Sequence, residues 1–201
     1  MSAGVDVRRG AIAADQDSIH QIAPGKIAIW WFLASEIMVF GALIGVYVLF
    51  SFAHGGFAAE GEHVQWRLGA FNTLVLVTSS LTMIMALASA RKRNLQQTRM
   101  FLLATVLLGF VFLGVKGFEY TTEIREGFTP ATGIFWSFYF GMTGLHGLHV
   151  IGGIAVNLVL LVAALSSKPW DLLERRIEFA GLYWHFVDVV WIFLFPLLYL
   201  T

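Results

Sequence analysis

The chain has 201 residues, 58% of them hydrophobic and only 13% charged, with 13 basic side chains balancing 13 acidic ones and a mean hydropathy of +0.74. A soluble domain carries about 25% charged residues, so this composition excludes a water-facing globule and indicates a membrane protein. Zero net charge gives no sign of a nucleic-acid partner, and the lack of cysteine excludes disulfides, thiol nucleophiles, Cys-ligated zinc and iron–sulfur clusters.

Residues 1–26 read as a polar, cytoplasmic N-terminal tail carrying Asp6, Arg8, Arg9, Asp15 and Asp17, without the apolar core of a signal peptide. A spanning helix needs about 20 mostly apolar residues. Five stretches qualify within a transmembrane domain over 27–201: Ile27–Phe52, Gly69–Ala90, Met100–Tyr120, Ala131–Leu165 and Ile177–Leu200. The connectors are His54–Leu68, the basic turn Arg91–Arg99, Thr121–Pro130, and Ser166–Arg176, where Lys168-Pro169 marks a helix stop.

The fourth stretch would extend about 50 Å as a helix, more than the hydrocarbon thickness of about 30 Å. No charge, Pro or Asn breaks it before Asn157, so it reads as one long tilted helix whose early Trp136 and Tyr139 lie in an interfacial belt. Loop charges agree. With the N-terminus inside, the inner segments hold Arg8, Arg9, Lys26, Arg91, Lys92, Arg93, Arg99, Lys168, Arg175 and Arg176, and the outer connectors hold only Arg67 and Arg125. The expectation is an all-α integral membrane bundle of five helices, N-terminus cytoplasmic and C-terminus periplasmic.

A charge near mid-membrane costs at least about 2.5–3.5 kcal/mol, so each one calls for a reason. Glu36 lies about 15 Å into the first helix by helical rise. It is either a proton-active carboxyl or a hydrogen-bonding group that locks packing. His146 and His149 fall on neighbouring positions of one helix face, and His185 and Asp188 repeat that spacing on the last helix, where an imidazole and a carboxyl one turn apart can hydrogen-bond. Two histidines on facing helices can ligate a haem, and Gly144 and Gly147 would give it room; polar residues more commonly glue helices together. Lys116 and Glu119 are a helix-packing polar pair, bonded to each other or snorkelling to the interface. Gly41 with Gly45, and Thr82 with Ala86 and Ala90, are small-residue stripes suited to close helix contact. No soluble-enzyme motif, internal repeat or serial-arginine helix is present. The residues read as a membrane bundle that serves a larger complex.

The polar positions also sit in a recognisable context. Tyr183-Trp184-His185-Phe186-Val187-Asp188-Val189-Val190-Trp191 resembles the closing-helix signature of subunit III of the haem-copper respiratory oxidases. Gly144-Leu145-His146-Gly147-Leu148-His149-Val150 and Ser35-Glu36-Ile37-Met38-Val39-Phe40 resemble two further motifs of that family. Asn72-Thr73-Leu74 through Ser79-Ser80, and Gly117-Phe118-Glu119-Tyr120, fall in the family's order. The resemblance runs from Ile27 to the C-terminus and is to the short, five-helix bacterial form, which includes quinol oxidases. Lys116 stands where many members have Gln.

The resemblance implies a non-catalytic subunit of the bacterial inner membrane, with no catalytic, cofactor-binding or metal-ligating residue of its own. Haem and copper are expected in partner chains. Subunit I is the expected direct neighbour, with subunit II and other respiratory-complex subunits in the same assembly and bound phospholipid beside them. The family's helper roles are lipid binding, support of proton uptake, and oxygen delivery. Glu36, His146, His149, His185 and Asp188 are the positions carried over to them. The competing readings are an accessory subunit of nitric oxide reductase, a small b-type cytochrome, and a free-standing transporter.

Overall fold

The computed structural model describes residues 24–165 and 170–200. The Lys168-Pro169 stop and all but the last three residues of the 1–26 tail lie outside the described residues. Six helices follow in order: α1 (Pro24–Ala53), a single turn α2 (Ala58–Gly61), α3 (Trp66–Arg91), α4 (Leu95–Arg125), α5 (Ile134–Leu165) and α6 (Trp170–Tyr199). The five long ones are apolar and long enough to cross a membrane, and no strand occurs among the described residues. The chain divides into two compact units, Met1–Ile37 and Met38–Thr201, so α1 contributes its first half to one and its second half to the other.

Within the larger unit, α3, α4, α5 and α6 form a ring in which each helix packs on the next and α6 closes back on α3. The register of that ring is written in the sequence at alternating intervals of three and four. On α3 it runs through Gly69, Asn72, Leu76, Ser79, Met83, Ala86 and Ala90, with Val75 and Ser89 buried beside it. On α4 it runs through Thr98, Leu102, Thr105, Gly109, Phe112, Lys116, Glu119 and Glu123, with Val106 buried beside it. On α6 the same rhythm gives Leu173, Ile177, Ala180, Trp184, Val187, Trp191, Leu194 and Leu198. This is the heptad spacing that keeps one stripe of each helix facing its neighbours in a left-handed bundle.

Lipid tails are as apolar as leucine, so the seams cohere through close packing and hydrogen bonds. Trp184 is fully buried and lies between two glycines on different helices. A Cβ on Gly153 would come within 2.6 Å of the indole, and one on Gly109 within 3.1 Å. The indole N–H donates to Ser79 Oγ on α3 at 3.0 Å, and one heptad later Trp191 donates to Thr73 Oγ1 at 3.0 Å. At the opposite end Arg99 donates to the Ala164 carbonyl at 2.6 and 2.9 Å, and Trp170 to the Ala90 carbonyl at 2.9 Å. Carbonyls at the helix C-termini thus find donors on neighbouring helices.

Helix ends differ from the sequence reading where charge was taken for a connector. α4 begins at Leu95, capped by the Asn94 side chain accepting from the Gln97 N–H at 3.1 Å. It continues past Tyr120 to Arg125, and the chain turns at Gly127, whose φ of 94° only glycine adopts freely. Glu123 belongs to the seam, because it follows Glu119 by four residues. Trp136 and Tyr139 are 2% and 0% exposed and pack on Phe128, Phe135 and each other, so their rings face the core of the bundle and not its outer surface. Gly41 and Gly45 face open space, where an added Cβ meets nothing within 4 Å, whereas Ala86 and Ala90 are fully buried in the α3 seam.

Gly153→Ala presses a methyl group to within 2.6 Å of the Trp184 ring and is expected to destabilise the protein by about 1–3 kcal/mol, the usual penalty of overpacking. Gly147→Ala, into open space, leaves thermal stability in detergent unchanged. Equal melting temperatures for the two variants would contradict the packing described.

Candidate functional site

Polar side chains occupy the seams in layers. In one half of the bundle Thr82 Oγ1 and Thr105 Oγ1 bond each other at 2.7 Å, and the buried Asn157 donates to the Gly153 carbonyl at 2.9 Å. Asn72 on α3 donates to the Phe112 carbonyl of α4 at 3.4 Å. Beyond that layer lies the largest cluster.

Lys116 and Glu119 are 6% and 0% exposed, so neither snorkels. Lys116 Nζ donates to Glu119 Oε2 at 3.0 Å and to the Tyr199 hydroxyl at 2.6 Å, and Tyr139 donates to Glu119 Oε1 at 2.7 Å. Four rings surround the ammonium, those of Tyr120, Tyr139, Trp191 and Tyr199, at 4.9–5.5 Å from their centroids. Residues from α4, α5 and α6 therefore share one desolvated charge, with ring quadrupoles and hydroxyl dipoles in place of water. Glu123, one turn further along α4 and 1% exposed, has no hydrogen-bond partner for either carboxyl oxygen.

The two histidines of α5 diverge. His146 is fully buried, edge-on to Phe112 at 5.5 Å and beside Trp191 at 5.1 Å, as a seam side chain. His149 is half-buried; its Nδ1 lies 2.9 Å from the Leu145 carbonyl, and Phe40 and Tyr183 rings flank it. On α6, His185 and Asp188 are not bonded to each other. The His185 Nδ1 lies 2.6 Å from Ser80 Oγ of α3. Asp188, 4% exposed, lies beside the same Ser80 hydroxyl. A short hydroxyl on the neighbouring helix reaches the imidazole more directly than a carboxylate on the same helix. Glu36 lies near the middle of α1, within the first compact unit, and is half-buried. Among the described residues, no three His, Asp or Glu side chains converge in an arrangement that could hold a metal ion.

The reading of residues alone missed Tyr139, Tyr199, Glu123 and Ser80. The three-four spacing of buried positions would have found Glu123. The tyrosine hydroxyls carry no such signal, because their meeting point depends on how three helices cross.

Residues 14–201 match the protein family described as cytochrome c oxidase subunit III. The cytochrome c oxidase subunit 3 of Alkalihalophilus pseudofirmus is 30% identical over 203 residues, covering 100% of this chain and 98% of that protein. The cytochrome c oxidase subunit 3 of Thermostichus vulcanus is 34% identical with the same coverage. The probable quinol oxidase subunit 3 of Staphylococcus haemolyticus is 34% identical over 184 residues, 90% of each chain.

Removing one partner of a buried ion pair costs about 3–5 kcal/mol, because the other charge is left unpaired in a medium that cannot solvate it. Lys116→Met is expected to lower stability by that order. Lys116→Met combined with Glu119→Leu is expected to recover part of the loss. A double-mutant cycle on thermal unfolding in detergent checks this, and simple additivity of the two losses would refute a coupled pair.

Proposed function

We propose, from the premise that this chain belongs to the cytochrome c oxidase subunit III family and is a subunit of a haem-copper oxidase complex in the bacterial cytoplasmic membrane, that it is the non-catalytic helper of that complex. It packs directly on the catalytic subunit I, with subunit II and further respiratory subunits in the same assembly. It holds phospholipid, supports proton uptake during turnover and eases oxygen delivery. The observation that carries this reading is an alignment with oxidase subunits 3 that spans essentially the whole length of both chains. Haem and copper reside in the partner chains. Relatives named for cytochrome c and for quinol oxidases both fit, since the donor is met by other subunits.

The interior supports a helper role. Its largest polar cluster, around Lys116, is bonded within itself, and its outer surface is broadly apolar. Met38, Leu49 and Phe52 on α1 are 77%, 69% and 81% exposed, a surface suited to lipid or to another membrane chain. Glu36 serves as the lipid- and proton-supporting carboxyl of α1, while His146 and His149 position α5 against its neighbours. The N-terminus lies on the cytoplasmic side. The α3–α4 turn carries Arg91, Lys92, Arg93 and Arg99, and α6 begins with Arg175 and Arg176, whereas the opposite end offers Arg67 and Arg125. In this reading residues 1–26 form a cytoplasmic tail and 27–201 the membrane domain.

An affinity tag on this chain is expected to recover an oxygen-reducing complex with full haem bands, and the chain separated from that complex to carry none. In the complex, Glu36→Gln leaves the haem and copper spectra intact but shortens sustained turnover or reduces retained phospholipid. Haem that follows the isolated chain, or loss of haem or copper on Glu36→Gln, would overturn the helper role.

A further inference from the structure

One turn beyond the Lys116 cluster, at the end of α4 opposite the basic α3–α4 turn, an acidic side chain stands apart. Glu123 is 1% exposed, and neither of its carboxyl oxygens makes a hydrogen bond. It lies in the last turn of α4, where Arg125 and then Glu126 are already exposed. A helix of 31 residues runs about 46 Å, against a hydrocarbon thickness of about 30 Å, so its ends reach toward solution. The chain then folds back on this turn. The Phe128 N–H donates to the Glu123 carbonyl at 2.9 Å, and the Phe128 ring stacks on Trp136 at 4.4 Å.

Charge balance inside the cluster leaves Glu123 without a counterion. The Lys116 ammonium is bonded to Glu119 Oε2 at 3.0 Å and to the Tyr199 hydroxyl of α6 at 2.6 Å. Glu123 stands about 10 Å further along the helix by rise, while Glu119 is in contact. The second Glu119 oxygen accepts from Tyr139 of α5 at 2.7 Å, so that hydroxyl is committed as well. The charged groups that act on Glu123 are Glu119 and Glu126, both acidic, and Lys116. Carboxylates one turn apart are neighbours and repel each other. A buried carboxyl without a donor avoids the cost of its charge by holding a proton.

We infer that Glu119 and Glu123 form a proton-binding site of two carboxyls and one ammonium, in which Glu119 stays ionised against Lys116 and Glu123 carries one exchangeable proton. The proton comes from water at the near end of the bundle and returns to it when Glu123 ionises. With the proton bound, the cluster of one ammonium, one carboxylate and one carboxylic acid is neutral. Its release puts a second negative charge one turn from the first, with a single ammonium to answer both. The site lies wholly within this chain and goes beyond the helper role, since it needs no partner subunit.

Infrared spectroscopy of the full chain in detergent at neutral pH reads the proton itself. A carboxylic acid has a C=O stretch above the amide bands, where an ionised carboxylate does not absorb. The wild-type protein is expected to show such a band, to shift it on transfer to heavy water, and to lose that component in Glu123→Gln. Glutamine is the neutral isostere of the protonated acid, so Glu123→Gln should also leave the melting temperature unchanged. Glu119→Gln, which strips Lys116 of its carboxylate, should lower it. An acid band that is unaltered by Glu123→Gln overturns the site. So does a Glu123→Gln protein that fails to fold or melts as early as Glu119→Gln, because Glu123 would then be an ionised partner of Lys116. The Glu123→Gln spectrum decides the matter alone if Glu119→Gln does not fold.

Discussion

The Trp184 indole is the point on which the four-helix ring depends. It belongs to α6, lies against the glycine backbones of α4 and α5, and donates to a hydroxyl of α3. In water a large aromatic ring would be driven inward by hydration alone. In a bilayer that force is absent between helices, so the ring stabilises the bundle only through tight contact and a satisfied N–H. Glycine at 109 and 153 supplies the contact, and Ser79 supplies the acceptor. Because the indole sets the separation of all four helices, the seam positions above and below it meet at a fixed spacing.

That spacing makes a buried ion pair tolerable in lipid. The Lys116 ammonium and Glu119 carboxylate would each carry a heavy desolvation cost alone. Where α4, α5 and α6 come close, two tyrosine hydroxyls and four ring faces replace the water that both groups lose. Most of the cluster is closed on itself. At the α3–α6 seam the part-buried His185 imidazole and Ser80 hydroxyl bond each other in the same way, across two helices.

Much of this was legible in the residues. The five spans follow from length and hydropathy, and the seam follows from three-four spacing once helix limits are known. Glu123 shows the limit of the method. Its charge and that of Arg125 resemble a connector, yet the buried rhythm of α4 runs through Glu123 without a break. Trp136 and Tyr139 look like interfacial residues by position, and only the packing of α5 against its neighbours turns them inward. Gly41 and Gly45 have the pattern of a contact stripe but face open space, whereas Gly109 and Gly153 form the contact with no such pattern between them.

The sequence by itself determined the medium, the number of crossings, the family and the identity of the ionisable residues at membrane depth, because hydropathy, length and short motifs are local properties of the chain. Tertiary structure alone decided which partner each of those residues found. Lys116 meets Tyr199, 83 positions away, and His185 meets Ser80, 105 positions away, in preference to the carboxyl one turn along its own helix. Such pairings depend on how far apart the helices stand and how they are rotated. Both are set by where a ring such as Trp184 meets a glycine, which no single helix can specify alone.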